Sequence, residues 1–181
     1  MPSRVIELNP VSRITVGAIG EPGHRTFYLQ ARRGSTLITL VCEKEQVQNL
    51  CLALQGLLEE LGEKYPQGAK FRPLNENMEL EQPFTPEFRA GRMGLVYDDK
   101  RDLIGLVVVE LVPPEVNPEE ATVARFFFTR AQADALSRHG LDVVARGRPI
   151  CPLCGRPMNP DGSVDGFCPR RNGHSDELVF A

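Results

Sequence analysis

Four residues near the end of the chain have the types and the spacing to hold a metal ion. Cys151 and Cys154 stand three apart in RPICPLCGRPM, thirteen residues separate Cys154 from Cys168, and five more lead to His174. A C-x2-C turn offers two thiolates from one bend, and a second pair of donors from a later turn completes the tetrahedron that Zn²⁺ prefers. Gly155 permits the tight turn that aims backbone N–H groups at the sulfurs. Three thiolates and a neutral imidazole leave an excess of negative charge, which Arg148, Arg156, Arg170 and Arg171 are placed to offset. Size points the same way. Residues 146–181 form a tail shorter than the ~40 residues below which a core rarely holds a domain unaided. Its apolar groups are few: Ile150, Leu153, Met158, Val164 and Phe167. Metal binding would then supply much of its folding free energy.

Other readings of the cysteines are weaker. A redox dithiol belongs beside a βαβ pattern, whereas Pro149, Pro152 and Pro157 make this strip rich in turns. A zinc deaminase needs an upstream H-x-E, yet His24 is followed by Arg25 and Thr26, and His139 by Gly140 and Leu141. A disulfide framework suits neither five cysteines, an odd number, nor a chain whose start, MPSRVIELNPVSR, lacks the apolar stretch of a secretory signal. If His174 is not the fourth ligand, then Asp161, Asp165, Asp176 or a water completes the set.

Elsewhere the residues with chemical potential have plainer explanations. GAIGEPGHR has the glycines of a phosphate cradle, but it leads from strand to strand, whereas a phosphate loop opens a helix. His24 and Arg25 beside it read as turn residues. Asp98, Asp99 and Asp102 gather at a hairpin tip with Lys100 and Arg101, where charge usually keeps a turn solvated. Cys42 and Cys51 read as small core residues. The three consecutive Phe of ARFFFTR cannot share one face of a strand, so one of them must pack on the other side. Arginines in the tail are balanced by Asp161, Asp165, Asp176 and Glu177, and the whole chain carries a net charge of −3, so nucleic acid is not the favoured partner.

The elements that must position these groups follow from periodicity. Apolar residues make up 41% and charged residues 25% of the 181, the mixture of an ordinary globular domain. SRITVGAI, HRTFYLQARR and STLITLVC read as an antiparallel meander, and Val47, Leu50, Cys51, Leu54, Leu57, Leu58 and Leu61 mark one face of a helix that stops at Gly62. A proline-rich connection, 63–90, shows no sustained period. GRMGLVYDD, LIGLVVVELV and TVARFFF then predict three more strands. A helix follows over TRAQADALSRHG, with Thr129 and Gln132 in capping-box register and Gly140 as its stop. Gln46 and Leu50 align with Gln132 and Leu136. The expectation is an α+β domain over 1–145, an antiparallel sheet with two helices, built as two βββα units (12–62 and 91–140), then the zinc-ribbon-like module over 146–181. The longest apolar run, Leu103 to Val112, is too short to span a bilayer, and the expected location is the cytoplasm.

Taken together, VGAIGEPGHRTFYLQAR, EKEQVQNL, RMGLVYDD and RPICPLCGRPMNPDG with CPRRNGH resemble the uncharacterised DUF3090 family, found mainly in actinobacteria, over nearly the whole chain. The resemblance implies no established activity. It implies a cytoplasmic protein encoded beside a phosphoinositide-kinase-like and a histidine-phosphatase-like protein, which are its candidate partners. Where the family places a His two positions before the last Cys, this chain has Gly166. Three functional expectations follow: a non-enzymatic protein-binding or adaptor role with structural Zn²⁺ at Cys151, Cys154, Cys168 and His174; an enzyme or regulator acting on a phosphorylated or nucleotide-like ligand; and nucleic-acid binding through the zinc tail.

Overall fold

A computed structural model of the chain describes residues 2, 4–21 and 23–146. Within it, residues 4–20 and 25–144 cluster into one compact unit. Its order is β1 (Val5–Leu8), β2 (Arg13–Ile19), β3 (Thr26–Arg33), β4 (Thr36–Cys42), α1 (Lys44–Lys64), β5 (Phe88–Asp98), β6 (Leu103–Glu110), β7 (Val123–Phe128) and α2 (Arg130–Ala145), with short turns of 3-10 helix at Pro66–Gly68 and Pro118–Glu120. The class is α+β with two helices, but the sheet is mixed where the sequence predicts a purely antiparallel one. Its order is β1-β7-β6-β5-β4-β3-β2, and the junctions β4–β5 and β1–β7 are parallel. Alternation within each strand locates the meanders but is blind to how the two halves meet. It also misses β1, whose four residues are too few to show a period.

β1 and β2 are consecutive in the chain yet occupy opposite edges of this sheet. Laid flat, seven strands would set those edges about 29 Å apart, whereas the five steps from Leu8 to Arg13 reach at most about 18 Å. The sheet therefore curls until its edges meet. Two neighbouring residues of the link record the closure: Val11 N–H donates to Phe127 O on β7 (2.8 Å), and Ser12 N–H donates to Arg32 O on β3 (2.7 Å).

The two halves, β2–β3–β4–α1 and β5–β6–β7–α2, share one register. Val16, Leu29 and Leu40 stand side by side in the first, and Leu95, Leu106 and Phe126 in the second. Six residues after Leu40 comes Gln46, and six after Phe126 comes Gln132. Each glutamine closes its own helix start, taking the Glu43 N–H at 2.7 Å and the Thr129 N–H at 2.9 Å. Each then turns its amide NH₂ on the other half. Gln46 Nε2 donates to the carbonyls of Ala90 and Gly91 (3.0 and 2.8 Å), and Gln132 Nε2 to those of Val11 and Ser12 (both 3.4 Å).

The core lies on one face. Val47, Leu50, Cys51, Leu54 and Leu61 of α1, with Ala133, Leu136, Val143 and Val144 of α2, pack with Ile14, Val16, Leu29, Leu40, Ile104, Leu106 and Phe126. Each large side chain buried this way contributes about 1.5–3 kcal/mol. Of the three Phe, Phe126 and Phe128 enter this core, while Phe127 lies on the opposite face with the Arg101 guanidinium 5.6 Å from its ring centre. Neither Gly62 nor Gly140 ends its helix. α1 runs to Lys64, with the Tyr65 N–H still bonded to Leu61 O. Gly140 sits inside α2 because a Cβ there would collide with Cys51 Sγ and stand 3.1 Å from Val16 Cγ2. At Gly140, what reads as a stop is a close approach of two helices.

The proline-rich connection is also more ordered than its composition suggests. Part of it lies as a strap over the outer face of β2 and β3. The Gln30 side chain exchanges two 2.8 Å bonds with the Glu81 backbone, Thr15 Oγ1 donates to Met78 O, and Leu80 fills the space a side chain at Gly17 would need. Arg13 and Arg32 both hold the Glu81 carboxylate, at 3.1 and 3.0 Å.

Two outcomes are expected. Glycine to alanine inside a helix ordinarily gains about 1 kcal/mol, but Gly140→Ala should lose about 1–3 kcal/mol in urea unfolding. The added variant Cys51→Ala should cost less in that background than in wild type. Purely additive losses would sink the close-contact account. Glu81 is held below its ordinary 4.5, first by its hydrogen bond from Arg32 and then by the charges of Arg32 and Arg13. Its stabilisation is therefore complete above that ordinary value and is lost as pH falls through the lower folded one. Glu81→Gln should cost about 1 kcal/mol at pH 7. Denaturation curves of the two proteins should converge at acid pH; a gap independent of pH contradicts the assignment.

Candidate functional site

The predicted zinc ligands Cys151, Cys154, Cys168 and His174 lie outside the described residues, as does the zinc-ribbon-like module. Among the described residues, no group of three His, Cys, Asp or Glu is placed to hold a metal ion. Cys42 and Cys51 are buried in the core, and burial pushes both thiols up to about 12. Neither offers a thiolate near neutral pH. Arg25 Nη1 donates to Val143 O at 3.0 Å, with its guanidinium 4.8 Å from the Phe27 ring centre. At the hairpin tip Asp98 accepts from the Lys100 and Arg101 N–H groups and from Arg101 Nε.

Asp102 does something the sequence reading does not anticipate. Its Oδ1 accepts from Arg130 Nε at 2.8 Å and from the Tyr97 hydroxyl at 2.6 Å. Arg130, the first residue of α2, is only 3% exposed. Its remaining donors reach Leu61 O (3.4 Å), Tyr65 O (3.1 Å) and the Tyr97 oxygen (3.1 Å). A guanidinium thus sits on the last carbonyls of α1, where the helix dipole is negative. Tyr97 also packs its ring on Tyr65, with centroids 5.1 Å apart. Burial, then the bond to Asp102, holds the Tyr97 hydroxyl above its ordinary pKa. The 3-10 turn after α1 closes the cluster: a Cβ on Gly68 would stand 2.6 Å from Asp102 Oδ2. The buried Arg130 guanidinium bonds to Asp102, Tyr97, Leu61 and Tyr65, so the constellation works as a lock between α1, the β5–β6 hairpin and α2. An Arg after Thr129 and one of three Asp at a hairpin tip give no spacing signal that joins them.

Between α1 and β5 lies a groove of about 380 Å³, within the ~300–1,000 Å³ common for binding pockets. Leu50, Met93, Leu95 and Leu106 form its apolar floor, Gln46, Asn49 and Ala53 its helix wall, and Gly91 and Gly94 its strand wall. It opens because β4 and β5 part company early. They pair only at Leu40–Phe88 and Val41–Arg89, after which β4 leads into α1 while β5 runs on to Asp98. An irregularity between Ala90 and Met93 turns β5 away at that point. Sequence reasoning passes over this site because its walls are small or neutral residues, which carry no chemical signature.

The family described as "Protein of unknown function (DUF3090)" matches residues 6–165. No curated protein and no solved structure matches the chain. No helix among the described residues is long and apolar enough to cross a membrane.

The lock makes a ranked prediction. Arg130→Met should cost about 3 kcal/mol in denaturant unfolding, because it strips buried carbonyls of their donor. Asp102→Asn should cost about 1 kcal/mol, since its carboxylate is 46% exposed and screened by solvent. The reverse order would contradict the role given to Arg130.

Proposed function

The chain belongs to the DUF3090 family, and on that premise we propose that it is a non-enzymatic, cytoplasmic protein-binding or adaptor protein. In this reading residues 146–181 close around one structural Zn²⁺ held by Cys151, Cys154, Cys168 and His174. The observation that carries it is the ligand pattern C-x2-C-x13-C-x5-H in a segment with too few apolar residues to fold by burial. The chemistry of the other two cysteines supports it: with thiols raised to about 12, Cys42 and Cys51 do not compete for the ion. Protein binding is favoured over catalysis by the state of the polar side chains. The Arg130–Asp102–Tyr97 cluster and the Arg13–Glu81–Arg32 cluster spend their hydrogen-bonding capacity on holding the fold. The groove beside β5 has the shape and apolar lining of a docking surface. A phosphoinositide-kinase-like or histidine-phosphatase-like protein is the first partner to try.

Elemental analysis of the purified chain tests the metal. About one zinc per chain is expected, falling below about a tenth of that in Cys154→Ser, as loss of a thiolate ligand demands. Limited proteolysis should then cut the variant within 146–181 and leave the α+β domain intact. Metal-free protein with a protease-resistant C-terminal segment, or a Cys154→Ser variant with its full complement of zinc, overturns the assignment.

A further inference from the structure

The shared register of the two halves allows each position to be compared with its counterpart. Gln46 answers to Gln132 and Leu50 to Leu136, so the helix position equivalent to His139 is Ala53. Val11 and Ser12 answer to Ala90 and Gly91, the carbonyls each glutamine holds, so Arg13 answers to Arg92 and Val16 to Leu95. In the first half, the edge of β2 is covered by α2. His139 Nε2 lies 3.0 Å from Val16 O, and Gly140 lets the helix press onto Val16. In the second half a methyl group stands where the imidazole stands in the first. Ala53 is exposed, Leu95 is only partly buried where Val16 is fully buried, and the space between them is the groove.

From this comparison we propose that the open edge of β5, residues 92–97, binds an extended segment of a partner protein that adds to the sheet as a strand and carries an acidic residue for Arg92. The backbone sets the shape of the occupant. Beyond Arg89 no strand among the described residues pairs with this side of β5, so alternate residues turn N–H and C=O groups outward, and an extended chain is what matches such a row. Apolar side chains at alternate positions of that chain would point down onto Leu50, Met93, Leu95 and Leu106. Gly94, with open space where a side chain would stand, leaves the strand accessible to another backbone.

Charge sets the partner's chemistry. Arg13 is neutralised by Glu81 of an extended strap that also offers its backbone carbonyls to the same guanidinium. Its counterpart Arg92 is exposed, stands between the groove residues Gly91 and Met93, and forms no ion pair among the described residues. An acidic residue on an incoming strand would give Arg92 what Glu81 gives Arg13. This deepens the protein-binding reading and is independent of the zinc.

The test is selection from a phage-displayed library of random nine-residue peptides on the full-length chain. Enriched sequences should alternate apolar residues and carry Asp or Glu. A synthetic peptide of the leading sequence should bind Ala53→Arg, which fills the groove, at least tenfold more weakly. It should bind Arg92→Glu tenfold more weakly too, with recovery when its acid is changed to Lys. Circular dichroism and a zinc determination on each variant separate a lost groove from a lost fold or a lost metal. A photo-cross-linking residue at position 53 identifies other occupants. Links to residues 147–181 of the same chain, or to a second copy in a dimer seen by light scattering, overturn the proposal. So do failure to enrich any peptide, enrichment of the three-and-four spacing of a helix, and equal binding to Ala53→Arg. Zinc-loaded protein with no peptide binding would remove the groove and leave the metal site standing.

Discussion

A link of four residues, from Asn9 to Ser12, must carry the chain from one edge of a seven-stranded sheet to the other. Because so short a link cannot cross a flat sheet, the sheet closes on itself. Closure decides which surfaces exist. It brings the start of β2 beside β7, so that the helix following β7 can reach Val11 and Ser12 through Gln132. It also leaves the helix following β4 to reach β5 through Gln46. The two glutamines do double duty, each capping its own helix and fixing the first strand of the other half. Neither half is closed without the other, and the single core cluster that draws on both reflects this.

Against that shared frame, the differences between the halves locate the interesting surface. The first half is finished: a strap covers its outer face, an imidazole meets its edge carbonyl, and a glycine lets two helices touch. The second half has strands in the same register, with no strap on it among the described residues and with alanine in place of the histidine. Its outer face leaves Val96 48% exposed. Packing pressure alone would favour filling such a gap, since an unfilled groove forfeits dispersion contacts. Two halves in one register, one sealed and the other open among the described residues, make a built-in control that distinguishes the groove from a casual irregularity.

Much of the fold is legible in the sequence because it rests on local signals. Six strands and both helices follow from periods of two and of three to four, and Thr129 with Gln132 marks the start of α2 by capping chemistry alone. What escapes depends on contacts between distant residues. Gly140 looks like a helix stop until the space around it is known. Parallel junctions leave no trace in alternation, and the four residues of β1 take their meaning only from β7. The strap is hidden by its prolines, since its order comes from Arg13, Thr15, Gln30 and Arg32 on other strands. The metal pattern is the reverse case: four ligand-type residues advertise themselves by spacing, while the groove, walled by Ala53, Gly91 and Gly94, advertises nothing.

The strength of such an edge interaction is bounded by its parts. A few backbone hydrogen bonds contribute about 1 kcal/mol each, and two apolar side chains on the groove floor about 1.5–3 kcal/mol each. Lost translational and rotational freedom opposes them by about 4–15 kcal/mol. Gains and cost are of the same order, so a strand docked on β5 as proposed would exchange readily and would not form a permanent subunit contact. That suits an adaptor better than an obligate complex. It also gives a second binding element on the same chain a physical role. When one protein offers two weak contacts to one partner, the second forms at the effective concentration set by the connecting chain, about millimolar for a short flexible link. Binding is then strong only for a partner presenting both features, and discrimination comes from their combination.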